Sequence, residues 1–136
     1  TRFMITLEQG VELVWHAFAD SVGGEIYVKK IPSMSITDIA KAVDKTSKIK
    51  FVGIRPGEKL HEQMIGIEDA PFTFEYDNYY KILPNINDWA SDPNRIKDGK
   101  PVNDDFLYTS QNNKDWMTIK DLQEWIYKNE DYIGLI

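Results

Sequence analysis

The run Phe51-Val52-Gly53-Ile54 ends in Arg55-Pro56-Gly57-Glu58, and Lys59-Leu60-His61-Glu62 follows at once. Arg55 carries a planar fork of donors that matches phosphate oxygens. Pro56 fixes its own φ and holds Arg55 extended. Gly57 permits a tight turn and close approach of a ligand. Glu58 falls at an expected helix start, and its carboxylate is a good acceptor for sugar hydroxyls. Together these residues suit a nucleotide-like ligand that carries a phosphate. A plain turn in which Arg55 and Glu58 pair with each other uses the same residue types, so the motif alone leaves both readings open. Arg2 is a second cation of interest. It stands in an otherwise apolar stretch before a helix, either snorkelling or aimed at an anion.

His61 and Glu62 form a conceivable acid/base pair, or a solvated face shared with Lys59 and Gln63. His16, beside Trp15, reads as a rim or core histidine. Tyr108-Thr109-Ser110-Gln111-Asn112-Asn113 collects hydroxyls and amides, which suits either a sugar or a polar turn.

What is missing narrows the chemistry. No G-x-G-x-x-G or G-x-x-G-x-x-G loop is present, so there is no dinucleotide fingerprint. None of the tyrosines has a lysine four positions later, and there is no G-x-S-x-G elbow. There are 2 His and 0 Cys, which excludes a multi-histidine zinc site, thiolate ligands and disulfides. We therefore expect no metal site and no catalytic residue. A net charge of −6 argues against nucleic acid. No apolar run has the length of a membrane span, and no signal peptide opens the chain. The lack of cysteine fits a reducing, cytoplasmic setting.

The elements that must position these residues follow from caps and periodicity. Residues 1–6 read as a short extended segment. Thr6 and Gln9 form a capping box before a helix whose Val11, Val14, Trp15 and Phe18 share one stripe. Glu25–Ile31 reads as a strand, and Ser35 to Asp38 opens a second helix with Ile36, Ile39, Ala40 and Val43 inward. Lys48–Ile54 reads as a strand, followed by a short helix with Leu60 and Met64 inward. Helices and strands that alternate in this way imply one parallel β-α-β unit from Ile26 to Ile54. Strand-like pieces follow at Thr73–Tyr76 and Tyr79–Leu83, then a long loop and a short strand at 106–110. Thr118 to Asp121 caps a last helix with Ile119, Leu122, Trp125 and Ile126 inward. The fold class expected is a small α/β, α+β-like fragment. Residues 1–136 read as a single domain, and the start at Thr1 reads as a piece of a longer protein.

The blocks TRFMITLEQGVELV, GGEIYVKKIPSMSITDIAKAV, GIRPGEKLHEQMI and FLYTSQNNKDWMTIKDLQEWI resemble, in matching order, the C-terminal portion of bacterial nucleotide-sugar dehydratases. These belong to the extended short-chain dehydrogenase/reductase superfamily. The likeness is nearest to the inverting UDP-N-acetylglucosamine 4,6-dehydratases of pseudaminic acid biosynthesis, a route to surface polysaccharide or flagellin glycan. The block RPGEKLHE is its most specific part. The resemblance implies that Arg55 and Arg2 meet the diphosphate and Glu58 meets the uridine ribose. Pro56, Gly57, His61 and Glu62 would support them. It also implies an N-terminal Rossmann domain that binds NADP and carries the catalytic Tyr and Lys, none of which is in this chain. The intact enzymes oxidise C4 of the sugar, eliminate water across C5–C6 and return hydride at C6. Residues 1–136 would then be a single C-terminal, substrate-binding domain, inactive alone, with a UDP-sugar and the Rossmann domain as partners and homo-oligomers possible. The rival readings are a stand-alone nucleotide-sugar or protein-interaction module, and the equivalent part of a UDP-sugar 4-epimerase.

Overall fold

The capping residues do what their spacing promises. In the computed structural model, which describes residues 1–86 and 88–129, Thr6 Oγ1 accepts from Gln9 N at 3.2 Å and Gln9 Oε1 accepts from Thr6 N at 3.1 Å. This box opens α1, Leu7–Asp20. Ser35 Oγ accepts from Asp38 N at 3.1 Å and opens α2, Ile36–Val43. A second full box, Thr118 with Asp121, opens α3, Ile119–Lys128. Each cap satisfies N–H groups that the first helical turn leaves without partners.

Among the described residues, eight short strands accompany the helices. They are β1 Arg2–Phe3, β2 Ile26–Lys29, β3 Ser33–Met34, β4 Gln63–Ile65, β5 Thr73–Glu75, β6 Tyr79–Ile82, β7 Lys100–Pro101 and β8 Tyr108–Thr109. One sheet has the order β2-β6-β5-β7, and β1-β3 and β4-β8 are separate pairs. Every one of these pairings is antiparallel. Val28, Ile65, Tyr80, Ile82 and Tyr108 form one buried cluster under the sheets. Met34, Ala42 and Leu122 form a second, where α2 packs on α3. Among the described residues, no helix is long and apolar enough to cross a membrane.

The mixed α/β character of the chain is as read, but the parallel β-α-β unit is not formed. β2 pairs antiparallel with β6, Ile26 facing Ile82 and Lys29 facing Tyr79. The reason is local. Asp77 and Asn78 close a tight hairpin between β5 and β6, with Tyr76 N donating to Tyr79 O at 3.0 Å. That hairpin presents its free edge to β2 without any crossover. Residues 48–54, read as the partner strand, are not in a strand: no described strand pairs with them, and Phe51 stands 87% exposed. A strand exists only as part of a ladder, so apolar content alone does not make one.

The short helix expected after Gly57 is also absent. Glu62 N donates to Ser110 Oγ at 2.9 Å, and Glu62 O accepts from Ser110 N at 2.8 Å. The backbone groups a helix would need are thus engaged at the end of β8, and the chain continues as β4. Leu60 and Met64 are exposed rather than inward, while Ile65 is buried. The inward faces of the helices are narrower than their periodicity suggests. On α2, Ala42 is buried, whereas Ile36 and Val43 are exposed; on α3, Leu122 is buried and Trp125 is exposed. The α1 stripe of Val11, Val14, Trp15 and Phe18 lies open along one groove.

The long loop of residues 84–105 is held by the chain itself. It contains a 3-10 turn, Trp89–Ser91, a single helical turn, Pro93–Ile96, and β7. Asn87 within it, and residues 130–136, lie outside the described residues. Arg95 pairs with the buried Glu25, donates to Gly23 O at 2.8 Å, and stacks its guanidinium 4.0 Å from the Trp89 ring centroid.

Candidate functional site

Arg55-Pro56-Gly57-Glu58 forms a type II turn. Glu58 N donates to Arg55 O at 3.0 Å, and Gly57 takes φ of +84° at the position that demands it. A side chain at Gly57 would be strained by that φ alone. The Glu58 carboxylate folds back to accept the Arg55 N–H at 3.0 Å. Its other oxygen lies 4.0 Å from Arg55 Nε. The Arg55 side chain is 82% exposed, so this loose pairing leaves the fork open to solvent.

Arg2 approaches from β1, where it faces Met34 of β3. Its Nη1 donates to Thr1 O at 2.7 Å and Leu60 O at 3.3 Å. A cleft of about 310 Å³ lies between β1, the start of α2 and the segment after Gly57. Arg2, Ser35, Ile36, Glu58 and Lys59 line it. The structure thus brings Arg2 and Glu58 to one cleft and leaves Arg55 at its edge, outside the lining but next to Ile54, which is part of it. Two cations and the capped start of α2 make the cleft suitable for an anionic ligand, with Glu58 as the acceptor for hydroxyls.

His61 and Glu62 do not form an acid/base pair. His61 Nδ1 lies 2.8 Å from Thr1 Oγ1, and the Glu62 carboxylate accepts the Phe3 N–H at 2.7 Å. Lys59 and Ser35 were not singled out in the sequence. Lys59 sits inside the specific block beside Glu58, a signal that was present. Ser35 reads only as a helix cap until the fold places that cap at the cleft. The 108–113 stretch is a structural turn. Thr109 and Asn112 bond each other, and Asn113 Nδ2 donates to Ile31 O at 2.7 Å and Ser33 Oγ at 3.0 Å.

The described residues do not fit NADP. A dinucleotide site needs a parallel strand that runs through a glycine-rich turn into a helix. Here the sheet pairings are antiparallel, and the positive-φ glycines Gly23, Gly24, Gly53 and Gly57 lie outside any strand-to-helix turn. Among the described residues, no group of three or more His, Cys, Asp or Glu is placed to hold a metal ion.

Residues 1–84 match the family described as "Polysaccharide biosynthesis protein". The chain is 45% identical to a UDP-N-acetylglucosamine 4,6-dehydratase (inverting) of Campylobacter jejuni serotype O:2, over 97% of this chain and 41% of the relative. It is 31% identical to a UDP-glucose 4-epimerase of Rickettsia bellii, over 98% of this chain and 40% of that relative. Among solved structures, the X-ray structure of Pen from Bacillus thuringiensis superposes with a TM-score of 0.73 at 25% identity, covering 95% of this chain and 37% of that one. The chain therefore spans about two-fifths of the length of the curated relatives it matches.

Proposed function

We propose, on the premise that the chain belongs to the polysaccharide biosynthesis protein family, that it is the nucleotide-sugar-binding portion of a UDP-N-acetylglucosamine 4,6-dehydratase. The observation that carries the reading is the meeting of Arg2, Glu58 and Lys59 in one small cleft, with Arg55 at its edge. Arg2 and Arg55 bind the diphosphate, and Glu58 accepts the ribose hydroxyls. Pro56 and Gly57 hold the turn that carries them. The higher identity to the dehydratase, 45% against 31%, favours it over a 4-epimerase. The parent works in the cytoplasm, in pseudaminic acid or related surface-glycan synthesis.

NADP and the catalytic Tyr and Lys belong to a preceding Rossmann domain of that parent. Two bare apolar surfaces support a missing neighbour. One is the α1 stripe, with Trp15 69% and Phe18 76% exposed, and the other is residues 51–54. Patches of this kind on a small domain mark a surface that another element covers. A second copy of the chain is the other candidate cover.

The expected result is that these 136 residues, incubated with UDP-N-acetylglucosamine and NADP, give no product, whereas the full-length protein does. Any 4-keto-6-deoxy sugar formed by the chain alone, read by mass spectrometry, overturns the division of labour.

A further inference from the structure

Glu62 ties β1 to the segment after Gly57, two of the segments that build the cleft. Its carboxylate accepts the Phe3 N–H at 2.7 Å and lies 3.7 Å from Arg2 Nε. Its backbone is fixed on both sides by Ser110, which is fully buried. Ser110 Oγ also contacts Thr1 Oγ1 at 2.7 Å, which in turn contacts His61 Nδ1 at 2.8 Å. The carboxylate cannot swing away without leaving the Phe3 N–H unpaired.

The guanidinium of Arg2 is therefore held at two points. Nε faces Glu62, and Nη1 is taken by two carbonyl oxygens. Nη2 has no hydrogen bond to the described residues. A half-exposed ion pair adds little to stability. What it does is remove rotamer freedom from a long side chain before a ligand arrives, which lowers the entropy cost of binding.

We propose that Glu62 is the positioning residue for Arg2, holding its guanidinium so that Nη2 is left for a phosphate oxygen of a nucleoside diphosphate. This rests on the reading of Arg2 as an anion contact. The pairing also gives Ser110 a role: it clamps the backbone from which the carboxylate reaches.

The test uses the full-length protein, with UDP and uridine as probes in calorimetry. Glu62→Gln keeps an acceptor for the Phe3 N–H and removes the charge beside Arg2. We expect UDP affinity to fall about three- to tenfold, the ordering cost of one long side chain, with uridine affinity and Tm unchanged. Arg2→Ala is expected to weaken UDP in the same selective way, and the double variant to be no weaker than Arg2→Ala. If Arg2→Ala leaves UDP binding intact, the anion site itself is wrong. If Arg2→Ala weakens UDP but Glu62→Gln does not, or the two losses add, the positioning role is overturned and the site stands. Equal loss of UDP and uridine with a lower Tm makes Glu62 a purely structural tie. Should Glu62→Gln fail to fold, Glu62→Asp, shorter but charged, is expected to lose UDP and spare uridine; equal losses overturn the proposal.

Discussion

Replacement of Asp20 by Ala is expected to destabilise the fold by about 3–5 kcal/mol, the scale of a broken buried ion pair. Asp20 closes α1, where a carboxylate opposes the helix dipole. It stands there for its partners. Oδ2 accepts from Lys81 Nζ at 2.5 Å and from Tyr27 OH at 2.7 Å, and Oδ1 pairs with Lys97. Lys81 is only 1% exposed, with its ammonium 5.4 and 5.0 Å from the ring centroids of Tyr27 and Tyr76. Without Asp20, that charge keeps, among the described residues, one carbonyl, Arg95 O at 3.0 Å, and two ring faces. Those contacts do not replace lost hydration. Urea unfolding followed by tryptophan fluorescence measures the loss, and a change below about 1 kcal/mol would show that Lys81 is compensated elsewhere. Asp20→Ala combined with Lys81→Met is expected to recover much of it, because the buried charge is then gone.

The same cluster sets a pH dependence. Burial alone would raise the Asp20 carboxyl, but hydrogen bonds from Lys81, Lys97 and Tyr27 outweigh it and hold the group well below the usual carboxylate range. Its folded pKa is thus lower than its unfolded one. The stabilisation is present in full above about pH 4, the unfolded value, and is lost as pH falls below that toward the folded pKa. At the alkaline end, burial and the bond to Asp20 push the Tyr27 phenol up, so stability falls as pH climbs above about 10. Melts of Asp20→Asn across the acid range should show a shallower decline than the parent chain.

Local chemistry was legible in the sequence and long-range pairing was not. Thr6, Ser35 and Thr118 announced their helices because a cap and its partner lie three residues apart. The Asp77-Asn78 turn lay between two strand-like runs, yet nothing in either run said that β6 would take the edge of β2. The apolar character of residues 51–54 was real, but the described residues offer no ladder for them. At the site, the Arg55 to Glu58 turn was readable because Pro56 and Gly57 dictate it, and Arg2 stood out as a lone charge. Ser35 gains its meaning only when the β3–α2 junction reaches the cleft, whereas Lys59 stands beside Glu58 in the sequence itself. The Asp20–Lys81 pair was missed, although a lysine in the run Tyr79-Tyr80-Lys81-Ile82 is an anomaly that asks for a buried counter-charge.

Arg55→Ala separates turn from ligand site, because the two roles predict opposite patterns. Among the described residues, the Arg55 side chain pairs only with Glu58, at 4.0 Å and mostly in solvent. Its removal should change stability by less than about 0.5 kcal/mol. If the fork binds a diphosphate in the full-length protein, the same change should weaken UDP-N-acetylglucosamine by about 1.5–3 kcal/mol, or roughly 10- to 100-fold. Arg55→Lys keeps the charge but loses the bidentate fork, so it should recover only part of the affinity. Calorimetry and a thermal melt on the same samples decide the matter. A large binding loss with an unmoved melt assigns Arg55 to the ligand. Unmoved binding leaves it a turn residue, and the anion site then rests on Arg2 and Lys59, the two cations that line the cleft.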